Sequence, residues 1–162
     1  MTALPHFDAA AISAVVDMDS AIKALKEAFK DLGKLHPRTQ VSLGTTDDLL
    51  LMPAVTSMGI GIKTVTVISD NPGKGLPLIH AHYLLCDRDT GRPQATFDGS
   101  ALTALRTPAA SGVATEMLAP PEVTSLGIFG TGVQAQGHID AMLSARSSIE
   151  TIFVSGRTLE ST

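Results

Sequence analysis

A glycine-rich turn near the end of the chain constrains its fold more than any other feature. Residues 125–129 form a short apolar run, and the turn G-T-G-V-Q-A follows at residues 130–135. A helical pattern then runs from about Val133 to Ala145, and a second apolar run covers residues 151–154. This order of strand, glycine turn, helix and strand predicts a β-α-β unit.

The spacing of small residues in this turn predicts a dinucleotide site. In the pattern G-x-G-x-x-G/A, Gly130 allows the tight turn, Gly132 lets the backbone approach a pyrophosphate, and Ala135 permits close packing of the helix. The first backbone N–H groups of the helix would then face the phosphates. The pattern alone is weak, but here it follows a predicted strand and opens a predicted helix. The alternative is a strand-to-helix turn with incidental glycines.

The end of the second predicted strand bears on the choice of cofactor. A carboxylate at this position would bind the ribose 2′-hydroxyl of NAD. The sequence instead has Ser155-Gly156-Arg157-Thr158, without a carboxylate. Because guanidinium pairs well with phosphate oxygens, Arg157 and Thr158 suit a 2′-phosphate. The predicted cofactor is therefore NAD(P), with NADP(H) favoured, and the alternative for Arg157 is a solvated loop residue.

The chain before the glycine turn changes from a helical to a strand period. Helices are predicted over residues 9–16 and 19–32, the second starting at the N-cap Asp19 and ending at Gly33. Five strands are predicted at residues 41–43, 49–55, 60–68, 78–85 and 94–97. Their short connections indicate an antiparallel or mixed sheet. Pro120-Pro121 predicts a domain boundary, because two prolines end a helix and stiffen the connection.

Three cations outside the glycine turn are candidate ligand-binding residues. Lys63 lies on a strand face with apolar neighbours, where it needs a partner or a ligand, or else discourages edge aggregation. In the helical stretch over residues 100–118, Pro108 predicts a second helix start with Thr107 as N-cap. Arg106 and Thr107 would then sit at a helix N-terminus, which favours anions, although a surface Arg beside a kink is the alternative. Arg38 follows Pro37 in a loop, and the three cations could converge on a carboxylate or phosphate.

Composition excludes several other classes of protein. Twelve Lys and Arg residues against 16 Asp and Glu residues give a net charge of −4, which argues against a nucleic-acid-binding protein. A single cysteine, Cys86, rules out an intrachain disulfide. His80 and His82 alternate onto one strand face, but no third ligand is evident, so no metal site is predicted. With no apolar run of roughly 18 residues and no signal peptide, we expect a soluble, cytoplasmic protein without a membrane segment.

Four segments, in this order and spacing, resemble the ornithine cyclodeaminase/mu-crystallin family. They are G-I-K-T-V-T-V (residues 61–67), N-P-G-K-G-L-P (71–77), D-G-S-A-L-T-A-L-R-T (98–107) and the glycine turn. The G-I-K-T and L-T-A-L-R-T segments are much more specific than the glycine turn. The resemblance extends over most of the chain.

The resemblance implies an α/β fold of two domains. An N-terminal α+β domain (residues 1–120), with helices and an antiparallel or mixed sheet, would bind substrate and form a homodimer. Residues 121–162 would begin a Rossmann-type domain for NAD(P). Family chemistry passes a hydride between the nicotinamide and the nitrogen-bearing carbon of a small amino or imino acid. Examples are the cyclodeamination of ornithine to proline and the reduction of ketimines.

The resemblance also implies roles for individual residues. The substrate carboxylate would be held by Arg38, Lys63 and Arg106, and Thr107 would lie against the cofactor. The residues expected to hold the pyrophosphate are Gly130, Thr131, Gly132, Val133 and Gln134. The family's acidic catalytic residue lies further downstream, so no catalytic residue is assigned in this chain.

The chain departs from the family in length. Family members are about twice as long, so we expect a truncated Rossmann domain and little or no turnover by these 162 residues alone. A second polypeptide could supply the remainder. The alternative function is a non-catalytic NADP(H)-binding or dimerisation module of crystallin type.

Overall fold

The structure is a computed structural model, and it describes residues 3–30 and 36–157. The helices are α1 (Ala9–Val15), α2 (Met18–Lys30), α3 (Gly99–Leu118) and α4 (Ala135–Ala145). The strands are β1 (His6–Phe7), β2 (Thr39–Ser42), β3 (Asp48–Val55), β4 (Ile60–Val67), β5 (Ile79–Cys86), β6 (Pro93–Asp98), β7 (Ser125–Phe129) and β8 (Thr151–Ser155). Each predicted strand has a counterpart, and so does each predicted helix except the second one expected to start at Pro108. Among the described residues, the two-residue strand β1 and a 3-10 turn at Pro72–Lys74 were not predicted, because such short segments carry no periodicity.

The chain divides into two compact units. The first contains the described residues of Met1–Ala14 and Asp31–Leu102, and the second those of Val15–Lys30 and Thr103–Thr162. The second unit therefore includes α2 and most of α3 together with β7, α4 and β8. The division of the chain into domains of residues 1–120 and 121–162 stays a prediction.

A six-stranded mixed sheet forms most of the first unit. Its strand order is β1-β6-β5-β4-β3-β2, in which β1 pairs with β6 in parallel and every other pair is antiparallel. Val65, Ala81 and Ala95 are buried on one face of this sheet. The predicted α/β class is confirmed, and the sheet is mixed rather than purely antiparallel.

A small helical core holds the second unit together. Ala21 and Ile22 of α2 pack with Ala109 and Val113 of α3 and with Ala141 of α4. Small side chains at these positions let the helix backbones approach closely. Lys26 of α2 forms an ion pair with Glu116 of α3. In the same unit, β7 and β8 are parallel, which confirms the predicted β-α-β unit.

The predicted N-cap of α2 was wrong by two residues. Asp17 caps the helix, since its Oδ1 accepts a hydrogen bond from the backbone N–H of Ser20 at 2.8 Å. A cap must precede the first helical residue, and the helix already begins at Met18. Asp19 instead accepts a hydrogen bond from the Ser144 hydroxyl of α4. The predicted end of this helix at Gly33 lies outside the described residues.

The helix start predicted at Pro108 was also wrong. The helix α3 runs without a break through Pro108, and its N-cap is Asp98, which accepts hydrogen bonds from the backbone N–H groups of Ser100 and Ala101. Arg106 and Thr107 therefore lie inside a helix and not at its N-terminus. Proline removes one backbone hydrogen bond from a helix, but the Pro108 side chain is fully buried. Its packing offsets this loss.

Candidate functional site

The glycine turn joins β7 to α4 and lies beside the end of β8. Gly130 has a positive φ of 101°, a backbone conformation that side chains rarely adopt. Its N–H donates a hydrogen bond to the carbonyl of Ser155 at 2.7 Å, which places the end of β8 beside the turn. The backbone N–H of Ala135 donates to the carbonyl of Gly132 at 2.9 Å, and α4 begins there.

The close approach of a ligand explains the glycine at position 132 better than any requirement of the fold does. A β-carbon at this position would meet no described atom within 4 Å, and its φ is not positive. Neither packing nor backbone strain therefore explains a glycine here. A side chain at Gly132 would instead occupy the space in which a pyrophosphate approaches the backbone. The turn is thus consistent with the nucleotide pattern.

A cavity of about 330 Å³ lies at the glycine turn. Its lining residues are Gly127, Ile128, Phe129, Gly130, Gly132, Gln134, Ala135 and His138. Thr131 and Val133, which complete the turn, are exposed. Sequence analysis missed His138, which lies one helical turn beyond Gln134. The signal that could have found it is its spacing of four residues from Gln134, which places both on one helix face.

Thr107 lies beside the contact that positions α4. The helix α4 approaches α3 at Gly137, where a β-carbon would lie 2.9 Å from Cγ of Pro108 and 3.3 Å from the Ala104 carbonyl oxygen. Thr107 directly precedes Pro108 and is half-buried. Because Gly137 is in the first turn of α4, residues 104–108 of α3 lie against the helix that begins at the glycine turn.

Arg157 follows the strand end that adjoins Gly130. It is two residues beyond Ser155, the last residue of β8, and is exposed. This is the position at which the Rossmann pattern selects the ribose substituent. Thr158, its predicted companion, lies outside the described residues.

Arg38 and Lys63 lie at the same level of the six-stranded sheet. Thr39 pairs with Leu51, and Met52, the next residue, pairs with Lys63. Arg38, which precedes Thr39, therefore stands two strands from Lys63, with β3 between them. Two strand spacings amount to about 10 Å. Two long cationic side chains that far apart can both contact one anion between them. Lys63 is half-buried and Arg38 is exposed.

Gly61, in the G-I-K-T segment, accommodates the ring of Tyr83. A β-carbon at Gly61 would lie 1.8 Å from the Tyr83 hydroxyl oxygen and 2.6 Å from Cζ. Tyr83 is the direct cross-strand partner of Lys63, so its ring leans diagonally over Gly61 on the same face. Burial raises the pKa of Tyr83. Sequence analysis missed Tyr83, although a glycine inside a strand signals close approach of another group.

The three candidate cations do not all belong to one unit. Arg38 and Lys63 are in the first unit, while Arg106 is exposed on α3 in the second. Their convergence on one anion stays a prediction.

The two histidines of β5 are exposed and form no metal site with other described residues. His80 and His82 pair with Thr66 and Thr64 of β4, and both histidines are exposed. Among residues 3–30 and 36–157, no three His, Cys, Asp or Glu side chains form a group that could hold a metal ion. Within the same residues, no helix is long and apolar enough to span a membrane.

Comparisons with known proteins show the family of the chain. The model of the ornithine cyclodeaminase/mu-crystallin family matches residues 7–162. A Delta(1)-pyrroline-2-carboxylate reductase of Bacillus cereus is 42% identical over 153 residues, which are 90% of this chain and 47% of the reductase.

Two solved structures share the fold. A Thermococcus litoralis Delta(1)-pyrroline-2-carboxylate reductase in complex with NADH and L-proline is 31% identical, with a TM-score of 0.88 over 98% of this chain and 51% of the reductase. An archaeal alanine dehydrogenase dimer with bound NAD is 28% identical, with a TM-score of 0.90 over 98% of this chain and 50% of the dehydrogenase. The chain thus spans about half the length of these relatives.

Proposed function

Because the chain belongs to the ornithine cyclodeaminase/mu-crystallin family, we propose that it serves NAD(P)-dependent hydride transfer on a small amino or imino acid. The observation that carries this proposal is the glycine turn, where Gly130 has a positive φ and no described atom explains Gly132. Two relatives reduce an imino acid by name, and one of them binds NADH and L-proline. We therefore favour imino-acid reduction over cyclodeamination.

The cofactor would be held by the backbone of residues 130–134 and by the start of α4. Glycine at positions 130 and 132 keeps side chains away from the pyrophosphate, while the helix N-terminus offers N–H donors to it. Thr107 would lie against the cofactor, since its helix packs on the first turn of α4. When bound, the nicotinamide supplies or accepts the hydride.

We propose a preference for NADP(H). Arg157 follows the strand end beside Gly130, and residues 155–157 provide no carboxylate for a ribose 2′-hydroxyl. A guanidinium there pairs with a 2′-phosphate, and the Thr158 hydroxyl would add a hydrogen bond. The two solved relatives described above are bound to NADH and NAD. The proposed preference for NADP(H) therefore rests on the residues of this chain alone.

The substrate carboxylate would be bound by Arg38, Lys63 and Arg106. The register of β2, β3 and β4 supports the pairing of Arg38 with Lys63 on one anion. A half-buried ammonium group such as that of Lys63 is stabilised by an anionic ligand. We also propose a homodimer as the functional form, in keeping with the archaeal relative.

The cofactor proposal is tested by titrating the protein with NADPH and NADH. We expect tighter binding of NADPH, and we expect Arg157→Asp to reverse the preference because a carboxylate repels the 2′-phosphate and accepts from a 2′-hydroxyl. The matched control Arg88→Asp changes the same charge in an exposed loop and should leave the preference unchanged. Absence of binding to either nucleotide would contradict the proposed function.

Because we expect little or no turnover by these 162 residues alone, the substrate proposal is tested by binding of L-proline to the chain loaded with NADPH. A hydrogen bond to a charged group contributes about 1.5–3 kcal/mol, so Lys63→Met should weaken substrate binding about 10- to 100-fold. The control Lys74→Met removes an exposed lysine and should have no such effect. Binding of NADPH without binding of L-proline would favour the non-catalytic binding module instead.

A further inference from the structure

Among the described residues, His138 is the one ionisable side chain that lines the cavity at the glycine turn. It is half-buried, and its ring Nδ1 lies 2.8 Å from the carbonyl oxygen of Gln134. The same carbonyl accepts the backbone N–H of His138 at 3.1 Å. The ring is therefore tied to the residue at which the turn passes into α4.

This hydrogen bond determines which ring nitrogen carries the hydrogen in the neutral ring. A carbonyl oxygen only accepts hydrogen bonds, so Nδ1 must carry the hydrogen. Nε2 is then the nitrogen with a free lone pair in the neutral ring. A neutral Nε2 and a phosphate oxygen are both hydrogen-bond acceptors, so the two atoms repel each other. A protonated Nε2 donates a charge-assisted hydrogen bond to the same oxygen.

Within residues 3–30 and 36–157, no charged side chain lines this cavity besides His138. On α4, Asp140 accepts a hydrogen bond from Gln136 at 2.8 Å and is exposed. The helices packed against α4 carry charged groups that are paired or exposed: Asp19 with Ser144, Lys26 with Glu116, and Arg106 on the surface. The strand residues of the lining are all uncharged.

The cavity lining contains a buried polar atom whose hydrogen-bonding capacity no described residue satisfies. The side-chain oxygen of Gln134 is buried and has no hydrogen-bond partner among the described residues. A buried acceptor left without a donor is costly. A polar occupant such as a ligand or a ligand-bound water would satisfy it, which fits a cavity that receives a nucleotide.

We propose that His138 takes up a proton on Nε2 when a nucleotide pyrophosphate binds at the glycine turn. The negative charge of a bound pyrophosphate favours an imidazolium ring beside it. This inference rests on the proposed cofactor site. Because a proton is taken up on binding, cofactor affinity falls as the pH rises.

The test counts protons taken up on binding. We would titrate the full chain with NADH by calorimetry between pH 5.5 and 8.5, in two buffers of different ionisation enthalpy. NADH is the probe because the 2′-phosphate of NADPH itself titrates near pH 6. We expect uptake of up to about one proton and an affinity that falls by up to about tenfold per pH unit on the alkaline side.

Two variants identify the titrating group. In His138→Asn, the amide can still donate to the Gln134 carbonyl, so the turn is kept while Nε2 is lost. In His138→Gln, a neutral donor replaces Nε2. We expect both variants to bind NADH without proton uptake, and the control His80→Gln, an exposed histidine of β5, to retain it.

Three results would overturn the inference. They are NADH binding to the unaltered chain without proton uptake, proton uptake that persists in both His138 variants, and uptake that disappears in His80→Gln. Circular dichroism of each variant would show that it is folded. Failure of the unaltered chain to bind NADH at any pH would instead contradict the proposed cofactor site, and this inference with it.

Discussion

Gly137 of α4 lies directly against Pro108 of α3, so closely that a β-carbon on the glycine would be 2.9 Å from Cγ of the proline. The contact explains both residues. The glycine lets the two helix backbones approach, and the buried proline ring fills the space between them. It also brings Thr107 close to the helix that begins at the glycine turn.

Gly137→Ala should therefore destabilise the second unit. The added methyl group overlaps the ring of Pro108, and overpacking of this kind costs about 1–3 kcal/mol. Urea denaturation measures the free energy of unfolding. Gly73→Ala is the matched control, since a β-carbon there meets no described atom within 4 Å. Equal stability of the two variants would show that the helices can separate without cost.

Gly132→Ala should weaken NADH binding without changing the stability of the protein. No described atom lies within 4 Å of the added carbon, so the free energy of unfolding should change by less than about 0.5 kcal/mol. NADH affinity should fall sharply, because the methyl group occupies the approach of the pyrophosphate. Gly44→Ala, equally open, should alter neither quantity. Unchanged NADH binding in Gly132→Ala would contradict the assigned pyrophosphate position.

Gly61 and Tyr83 should behave as a coupled pair. Gly61→Ala pushes the Tyr83 ring out of place and should cost about 1–3 kcal/mol. In a Tyr83→Ala background the same change should cost less than about 0.5 kcal/mol, because the ring is gone. Unfolding free energies of the four proteins in this double-mutant cycle give the coupling. Additive costs would show that the two residues do not compete for space.

Arg146 should be required for the connection from α3 to β7. Its guanidinium donates hydrogen bonds to the carbonyls of Thr115, Glu116, Ala119, Pro120 and Ala145, at 2.7–3.1 Å. A lysine cannot serve this many acceptors, so Arg146→Lys should lower the free energy of unfolding by about 1–3 kcal/mol. Arg88→Lys makes the same exchange at an exposed site and should be neutral. A neutral Arg146→Lys would mean that water replaces these bonds.

The cap of α2 should make stability depend on pH. Hydrogen bonds from the Ser20 hydroxyl and backbone N–H lower the pKa of Asp17 below 3.8. A lowered folded-state pKa contributes stability above the unfolded value of 3.8, and this contribution is lost as the pH falls through the folded pKa. Asp17→Ala should therefore lower the urea midpoint of unfolding at pH 7. The difference in urea midpoint between this variant and the unaltered chain should shrink as the pH falls.

The control for this prediction is Asp70→Ala, which removes an exposed carboxylate from the turn after β4. Its urea midpoint should follow that of the unaltered chain across the pH range. If the Asp17→Ala difference stayed constant down to pH 3, the charge of Asp17 would not be its source.

Local patterns predicted much of the candidate site. The glycine turn, its strand and its helix were located because each depends on residues close together in sequence. His138 and Tyr83 were missed, since the spacing of His138 from Gln134 does not by itself indicate a cavity wall, and a glycine in a strand does not say which ring covers it. Both became visible only when elements distant in sequence were placed side by side.

The sequence by itself determined the order of helices and strands, because apolar periodicity and turn residues act over a few positions. The tertiary structure decided the course of α3 and the role of Asp19. Pro108 indicated a helix break, but burial of its ring against Gly137 favours a continuous helix. Asp19 suited a cap, but it bonds to Ser144 of another helix. In both cases the deciding free energy comes from a contact between residues far apart in the chain, which local propensity does not contain.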